Sequence, residues 1–211
     1  MENLLVKLKT ALEIMGIELP DTAPNKLIDY LGLLVRWNRA FNLTAIRNSD
    51  EMLSKHLLDS LGVLPYIGEG LILDVGSGAG LPGIPLAIAM PHNRFVLIDS
   101  NGKKTRFLTQ ARISLGLDNV EVVNQRVEAY SPTKDDHRIY FDAVVARAYA
   151  SSNEIIKNTA HLHKPETRIL IMQGKLDESI DVPGYVLKQS HTLNIYGLHA
   201  ERHLLEIEKT H

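Results

Sequence analysis

The chain has 211 residues, 45% of them hydrophobic, which is enough for one buried core with a small appended subdomain. It contains no cysteine, which excludes disulfides and thiolate metal sites, and no H-E-x-x-H motif, so we expect no metal. The net charge of −2 lacks the basic surplus typical of nucleic-acid binders, although a local basic patch can still bind phosphate. Neither a membrane span nor a signal peptide is evident. We expect a cytoplasmic protein with no membrane partner, and a monomer.

The first 66 residues show the apolar spacing of three amphipathic helices. The first helix ends at Gly16 and carries Leu4, Leu5, Leu8, Leu12 and Met15. The second is marked by Leu27, Leu31, Leu34 and Val35. The third can be capped by Ser49 or Asp50 and contains Met52, Leu53, His56, Leu57 and Leu61. We expect a helical subdomain over residues 1–66, packed on a main domain over residues 67–211.

The main domain alternates between strands and helices. Five apolar strands are predicted, over Leu71–Val75, Arg94–Asp99, Val120–Asn124, Phe141–Ala146 and Arg168–Gln173. Helices over Leu81–Met90 and Lys103–Leu115 separate the first three, and this pattern is typical of a parallel sheet covered on both faces. The last two strands, Tyr185–Leu193 and His203–Glu208, have no helix between them and predict an antiparallel pair at the sheet edge. The fold class is therefore α/β, with a doubly wound, mostly parallel seven-stranded sheet; Asp135–Arg138 is expected to be an exposed loop.

The most informative segment is the turn after the first strand. Asp74 stands near the end of that strand, and Gly76, Gly78 and Gly80 follow at alternate positions before a helix begins. Such a strand–turn–helix unit lets the backbone approach a nucleotide-like ligand closely. A carboxylate at this turn repels a pyrophosphate but suits the cationic end of S-adenosylmethionine.

An alternative interpretation is a dinucleotide site. Gly78, Gly80 and Gly83 satisfy G-x-G-x-x-G, and Asp99 follows about 20 residues later, where a ribose-binding acid is expected. Against NAD, the turn already begins at Gly76, Pro82 removes a phosphate-binding N–H, and Asp74 adds negative charge. A purely structural glycine turn is a further alternative.

A parallel sheet that ends in an antiparallel pair of strands, with an acid before the glycines of its first turn, resembles the class I S-adenosylmethionine-dependent methyltransferases. Within that class the chain resembles the ribosomal RNA small subunit methyltransferase G family, also called glucose-inhibited division protein B, over nearly its whole length. The motifs that carry the resemblance are Trp37–Thr44, His56–Ser60, Asp74–Pro85, Leu97–Ser100, Lys103-Lys104, Phe107-Leu108, Arg126–Glu128, Phe141-Asp142 and Arg147-Ala148. The one small departure is Ala146, where the family leads us to expect serine.

The resemblance implies methylation of guanine N7 at one guanosine of 16S ribosomal RNA, with S-adenosylmethionine as cofactor. The partner would be 16S ribosomal RNA or the small-subunit particle. Guanine N7 has an in-plane lone pair and no proton, so it can attack the methyl group without a general base. The enzyme then has to extrude the base, hold N7 in line and exclude water.

The cofactor-binding residues can be interpreted for this task. The turn glycines would pass under the methionine part of the cofactor, with Leu81 on the floor and Asp74 holding the amino-acid end. Asp99 suits the ribose hydroxyls, whereas Val127 and Glu128 can bind the adenine edge. Arg147 projects to where cofactor and target base meet, as cofactor ligand and catalytic residue, and can stack on the purine or donate to its O6.

Each assignment has a structural alternative. Asp99 can be a helix N-cap, Glu128 an exposed acid of a first turn, and Arg147 a surface cation. Trp37 and Phe41 fit the core better than a base-stacking platform, and His56 fits a packed, hydrogen-bonded residue better than a base.

Basic residues in two regions are candidates for RNA binding. They are Arg36, Arg39, Arg47, Lys55, Lys103, Lys104 and Arg106. A solvated helix face explains any single one of them equally well. A class I methyltransferase acting on a small molecule, an NAD-dependent oxidoreductase and a non-catalytic RNA-binding protein stay as alternative functions, the last being the weakest.

Overall fold

The computed structural model describes residues 2–147 and 150–210, so Ala148 of the Arg147-Ala148 motif lies outside the described residues. The chain begins with helices α1 (Glu2–Met15) and α2 (Ala23–Phe41). A third helical stretch consists of α3 (Ser49–Met52), a π-helical segment (Leu53–Leu58) and α4 (Asp59–Leu61). Its N-cap is Asn48, not Ser49 or Asp50, because the Asn48 side chain accepts the backbone N–H groups of Asp50 and Glu51.

The main sheet has seven strands and confirms the predicted fold class. They are β1 (Leu71–Val75), β2 (Arg94–Ile98), β3 (Val120–Val123), β6 (Phe141–Arg147), β7 (His163–Gln173), β8 (Tyr185–Thr192) and β9 (His203–Lys209). Their spatial order is β3-β2-β1-β6-β7-β9-β8. The strand order reverses between β1 and β6, and the carboxyl ends of these two strands form the crevice where this class of sheet binds ligands.

The connections follow the predicted alternation. Helices α5 (Gly83–Ala89) and α6 (Gly102–Leu115) join β1 to β2 and β2 to β3, and α7 (Ser152–Thr159) precedes β7. Strand β9 lies between β7 and β8 and is antiparallel to both. Strand β8 pairs with β9 alone and therefore forms the edge of the sheet. The prediction of a loop over residues 135–138 is partly wrong. The short strands β4 (Thr133–Lys134) and β5 (His137–Arg138) form a hairpin, and its two turn aspartates have φ of 51° and 61°.

Alternate residues of each strand enter two separate cores. Ile72 and Leu97 pack with α5, α6 and the N-terminal helices, whereas Leu73 and Val75 pack with α7 on the opposite face. Helix α2 lies against α6, where the Trp37 and Phe107 rings are 5.7 Å apart. Phe41 stacks on Trp37 at 5.1 Å but is 40% exposed, so it is only partly a core residue. Within the described residues, no helix has the length and apolarity that a membrane span requires.

Candidate active site

The glycine turn lies at the carboxyl end of β1. Its start is tied to β2, because the backbone N–H groups of Gly76 and Ser77 donate to the Ile98 carbonyl oxygen at 2.9 and 3.2 Å. Gly76 and Gly78 have positive φ values of 67° and 59°, which favour glycine. A Cβ on Gly78 would make only ordinary contacts, at 3.6 Å from the Gly76 carbonyl oxygen and 3.9 Å from Lys104 Nζ. Gly76 and Gly78 are half-buried, so the turn leaves partly exposed backbone beside the crevice.

Gly80 has a different role from Gly78. A Cβ on Gly80 would lie 2.6 Å from Ile84 and 2.9 Å from Leu108, which are both core residues. The missing side chain of Gly80 thus lets α5 and α6 pack closely against the turn. Leu81, which follows it, is 5% exposed and belongs to the same core, in agreement with a floor position.

Asp74 is fully buried beneath the turn. Its Oδ2 atom accepts the Gly83 backbone N–H at 3.0 Å, and a Cβ on Gly83 would approach this oxygen to 2.5 Å. Among the described residues, Oδ1 has no hydrogen-bond partner. Burial raises the pKa of Asp74 to about 7, although the hydrogen bond from Gly83 and the charge of Arg147 oppose this shift. A buried carboxylate with an unpartnered oxygen beneath this turn fits the cationic end of S-adenosylmethionine.

Asp99 lies at the carboxyl end of β2 and is joined to the turn. Its Oδ2 accepts the Gly78 N–H at 2.9 Å, and its Oδ1 accepts the Asn101 N–H at 2.8 Å. Asn101, not Asp99, caps α6 by accepting the Lys103 N–H, so the alternative interpretation of Asp99 as the helix cap is wrong. Each carboxylate oxygen can accept another hydrogen bond. Asp99 therefore keeps acceptor capacity for a pair of hydroxyl groups.

A narrow cleft runs from Asp99 toward the next loop. It is lined by Gly76, Asp99 and Val127 together with neighbouring residues of these three segments. Val127 is buried at the start of a short 3-10 turn, and Glu128 next to it is exposed. The cleft has a volume of only about 30 Å³, which is enough for a single water molecule, so an adenine ring requires it to widen. Glu128 meets the description of an exposed acid of a first turn.

Arg147 ends β6 and is held by residues from distant parts of the chain. Its Nη1 donates to Asp59 Oδ2 at 2.8 Å and to the Lys55 carbonyl oxygen at 3.0 Å. Asp59 is buried, and its other oxygen accepts Arg202 Nε at 3.0 Å. Burial raises the pKa of Asp59, against the charges of both arginines. One buried carboxylate thus fixes two guanidinium groups, and Arg147 is not a solvated surface cation.

His56 packs beside Arg147 on the π-helical segment. Its Nε2 lies 2.9 Å from the Thr44 hydroxyl and its Nδ1 lies 3.0 Å from the Lys55 carbonyl oxygen. Both contacts are hydrogen bonds when Nδ1 carries the proton, because Nδ1 then donates to Lys55 and Nε2 accepts from Thr44. Arg147 Nη2 lies 3.3 Å from Nδ1 and in this tautomer makes a close contact without a hydrogen bond. Burial and the charge of Arg147 lower the pKa of His56 to about 4. The imidazole is therefore neutral at pH 7, and its surroundings match the predicted packed, hydrogen-bonded residue.

Sequence reasoning did not single out Asp59 or Arg202 as site residues. Asp59 does stand three positions after His56 in a motif of the family, which is a local signal. Arg202 lies in the segment before β9 and carries no such signal. Both residues line a cavity of about 320 Å³ that also contacts Lys55, His56 and Arg147. Larger cavities of about 430 and 510 Å³ lie elsewhere, and neither contacts a predicted site residue.

The basic candidates occupy two kinds of environment. Lys55 pairs with Glu51 at 3.0 Å, and Lys104 extends over the glycine turn to 3.7 Å from Asp99 Oδ2. The side chains of the other five are exposed; these residues are Arg36, Arg39, Arg47, Lys103 and Arg106. Lys104 thus lies beside the candidate cofactor site, whereas Lys55 lies at the cavity next to Arg147.

No group of three or more potential metal ligands occurs in the described part of the chain. His199 and His203 have the four-residue spacing of helical zinc sites, but His203 begins β9 and no helix joins the pair. The spacing therefore does not bring their rings to one face of a helix.

The sheet order, the glycine turn and the acids at the ends of β1 and β2 define a class I S-adenosylmethionine-dependent methyltransferase. The fold is similar to that of a SAM-dependent methyltransferase from Aquifex aeolicus, with a TM-score of 0.56, 18% identity, and coverage of 76% of this chain and 93% of that one. The chain belongs to the rRNA small subunit methyltransferase G family, whose model matches residues 23–204.

Curated relatives match nearly the full length of the chain. The ribosomal RNA small subunit methyltransferase G of Hydrogenovibrio crunogenus is 48% identical over 208 residues, covering 97% of this chain and 94% of the relative. The protein of the same name from Pseudomonas fluorescens is 44% identical over 207 residues, with the same coverage. These matches confirm the resemblance found in the sequence motifs.

Proposed function

We propose that this protein transfers the methyl group of S-adenosylmethionine to guanine N7 in 16S ribosomal RNA. The name of its relatives supports the small-subunit RNA as substrate. One observation carries the choice of acceptor atom. The side chains around Arg147 offer hydrogen-bond donors and a neutral imidazole that is already hydrogen-bonded, and the nearby carboxylate of Asp59 is paired with two arginines. Such a site suits an acceptor that loses no proton.

The cofactor supplies an electrophilic methyl group on a sulfonium centre. Asp74 would hold its amino-acid end, with Gly76 and Gly78 under the methionine chain and Gly80 and Leu81 shaping the turn. Asp99 would accept hydrogen bonds from the ribose hydroxyls, and Lys104 must then share this carboxylate or leave it. Val127 and Glu128 would bind the adenine, and Arg147 would act as a catalytic residue where cofactor and base meet.

The exposed basic residues would position the RNA backbone. Arg36 and Arg39 lie on α2, and Lys103 and Arg106 lie on α6, which packs against α2. Cations on two packed helices can contact neighbouring phosphates, and Arg47 and Lys55 extend this set toward the cavity. The proposal also includes a cytoplasmic monomer, with residues 1–66 as a helical subdomain on the methyltransferase domain of residues 67–211.

The substrate class is tested by labelled methyl transfer. Purified protein is incubated with S-adenosylmethionine carrying a radioactive methyl group and with small-subunit particles or 16S RNA from cells that lack this enzyme. We expect label in the RNA and little in particles from normal cells, which are already methylated. Transfer to a mixture of small metabolites but to neither RNA substrate would support the small-molecule alternative and contradict the proposal.

A further inference from the structure

The cavity beside Arg147 lies on the carboxyl edge of the sheet, next to the cofactor turn. Arg147 at the end of β6 and Gln173 at the end of β7 form one side, and the π-helical segment with Lys55 and His56 forms the other. Val75 of β1 pairs with Ala146, so the glycine turn and Arg147 follow from adjacent strand positions. The guanidinium of Arg147 also affects the pKa of Asp74 beneath the turn. Arg147 therefore stands between the cofactor crevice and the cavity.

The size of the cavity restricts what it can hold. Its volume of about 320 Å³ is near the lower end of the range for small-molecule sites. A single extruded nucleobase fits such a space, whereas a paired helix does not. Its lining is mostly polar, and within it Asp59 fixes Arg147 and Arg202. Two of the five N–H groups of Arg147 have acceptors among the described residues, and Nη2 also lies 3.3 Å from His56 Nδ1, so Nε and one N–H of Nη2 are left for a ligand.

We propose that this cavity receives the target guanine, with Arg147 and Arg202 in its wall and Asp59 as the residue that positions both. This inference rests on the proposed function, because it identifies the acceptor pocket of the same reaction. The arginine N–H groups match the O6 acceptor of guanine. A bidentate contact to O6 and N7 would cover the reacting lone pair, so the arginine donors must bind O6 alone.

The charge balance explains why the arginines need Asp59. The N7 lone pair forms the new N–C bond while the S–C bond breaks and its electron pair stays on sulfur. The positive charge thereby moves from the sulfonium to the purine ring, and no proton is transferred. An unpaired guanidinium beside the ring would oppose this movement of charge. The Asp59 carboxylate, 2.8 Å from Arg147 and 3.0 Å from Arg202, offsets it while the N–H donors stay in place.

A cavity-filling substitution tests the pocket. Gly174 is exposed and lines the cavity, and a Cβ there would make an ordinary contact of 3.5 Å with Arg202 Nη1, so a leucine at this position would lie beside that arginine. Gly174→Leu should lower kcat/KM for ribosomal RNA by at least about tenfold through steric exclusion. The affinity for S-adenosylmethionine should stay unchanged. Gly68→Leu is the matched control. Gly68 lies in the loop before β1, and a Cβ there would make a similar contact with an arginine, at 3.8 Å from Arg168 Nη1. This variant should methylate normally.

The possible outcomes separate the two proposals. If the wild-type protein methylates no ribosomal RNA, the proposed function is wrong. If the wild-type protein is active and a folded, cofactor-binding Gly174→Leu variant methylates RNA equally well, the pocket is assigned wrongly.

A second measurement on the wild-type protein covers the case in which that variant does not fold. RNA with inosine at the target position keeps O6 and should be methylated, whereas RNA with 2-aminopurine lacks O6 and should react at least about tenfold more slowly. Equal rates for the two analogues would overturn the pocket.

Discussion

Asp74 connects cofactor binding to protonation. Its carboxyl group is fully buried, one oxygen is unpartnered among the described residues, and burial raises its pKa to about 7 in the protein without cofactor. A cationic amino group beside it favours the ionised carboxylate, so binding must release the proton wherever Asp74 is protonated. We therefore expect the affinity for S-adenosylmethionine to fall as the pH falls below 7.

The size of the effect follows from the pKa. A carboxyl group with a pKa of about 7 lowers the affinity roughly eightfold between pH 7.5 and pH 6. The α-amino group of the cofactor gains protons over the same range and reduces the net loss to about fivefold. At pH 6.5 roughly three-quarters of the Asp74 carboxyl groups are protonated, so binding should release about 0.7 proton.

Isothermal titration in two buffers with different ionisation enthalpies measures both quantities. At each pH, the difference in binding heat between the buffers gives the number of protons released. The matched variant is Asp74→Asn, which can still accept the Gly83 N–H but carries no titrating group. It should bind more weakly at pH 7.5 and release almost no proton. Wild-type binding that releases no proton and is equally strong at pH 6 and 7.5 would refute the link between Asp74 and the cofactor.

Three other substitutions test separate parts of the site. Gly78→Val should abolish cofactor binding in a folded protein, because a β-branched residue at φ of 59° is strained and its side chain would occupy the crevice beside the turn; a normal calorimetric Kd would contradict this. Asp59→Asn should cost about 3 kcal/mol in denaturant unfolding, since it leaves two arginines beside a neutral group; unchanged stability would oppose the described pairing. His56→Gln should keep the single-turnover rate nearly constant from pH 6 to 8, because N7 needs no base.

His56 also affects acid stability, with a sign that follows from its lowered pKa. The unfolded chain takes up a proton on this residue near pH 6.5, whereas the folded protein does so only near pH 4. The wild-type protein should therefore lose up to about 3 kcal/mol of stability from this group between pH 6.5 and 4, and none above that range. His56→Gln should show a correspondingly smaller loss in urea unfolding at pH 4.5. An identical pH dependence in both proteins would argue against a buried, neutral imidazole.

The sequence predicted those parts of the fold that depend on local patterns. The continuous apolar strands, the helices between them and the glycine turn each depend on a short stretch of sequence, and the structure confirms these elements. The antiparallel β8 and β9 were also predictable, because no helix separates them. Local patterns did not reveal that β9 enters the sheet between β7 and β8, since strand order depends on packing across the whole sheet.

The side chains around Arg147 show the same limit. Asp59 and Arg202 are 143 residues apart in the chain, and only the assembled sheet brings them to one carboxyl edge. Lys104 could be recognised as a basic residue, but its position over Asp99 depends on how α6 begins. The cap at Asn48 and the π-helical segment also depend on side-chain contacts that apolar spacing does not specify. Candidate cofactor residues could thus be named from the sequence, whereas the proposed acceptor pocket required the structure.

The central claim is that guanine N7 accepts the methyl group, and the identity of the methylated nucleoside tests it most directly. Small-subunit RNA methylated by the purified protein is digested to nucleosides and analysed by mass spectrometry against authentic standards. We expect 7-methylguanosine, and we expect no product when the target guanosine is replaced by 7-deazaguanosine, which has carbon in place of N7. A methyl group on an exocyclic amine, on a ring N–H or on a ribose hydroxyl, or an undiminished yield from the 7-deaza substrate, would contradict the account.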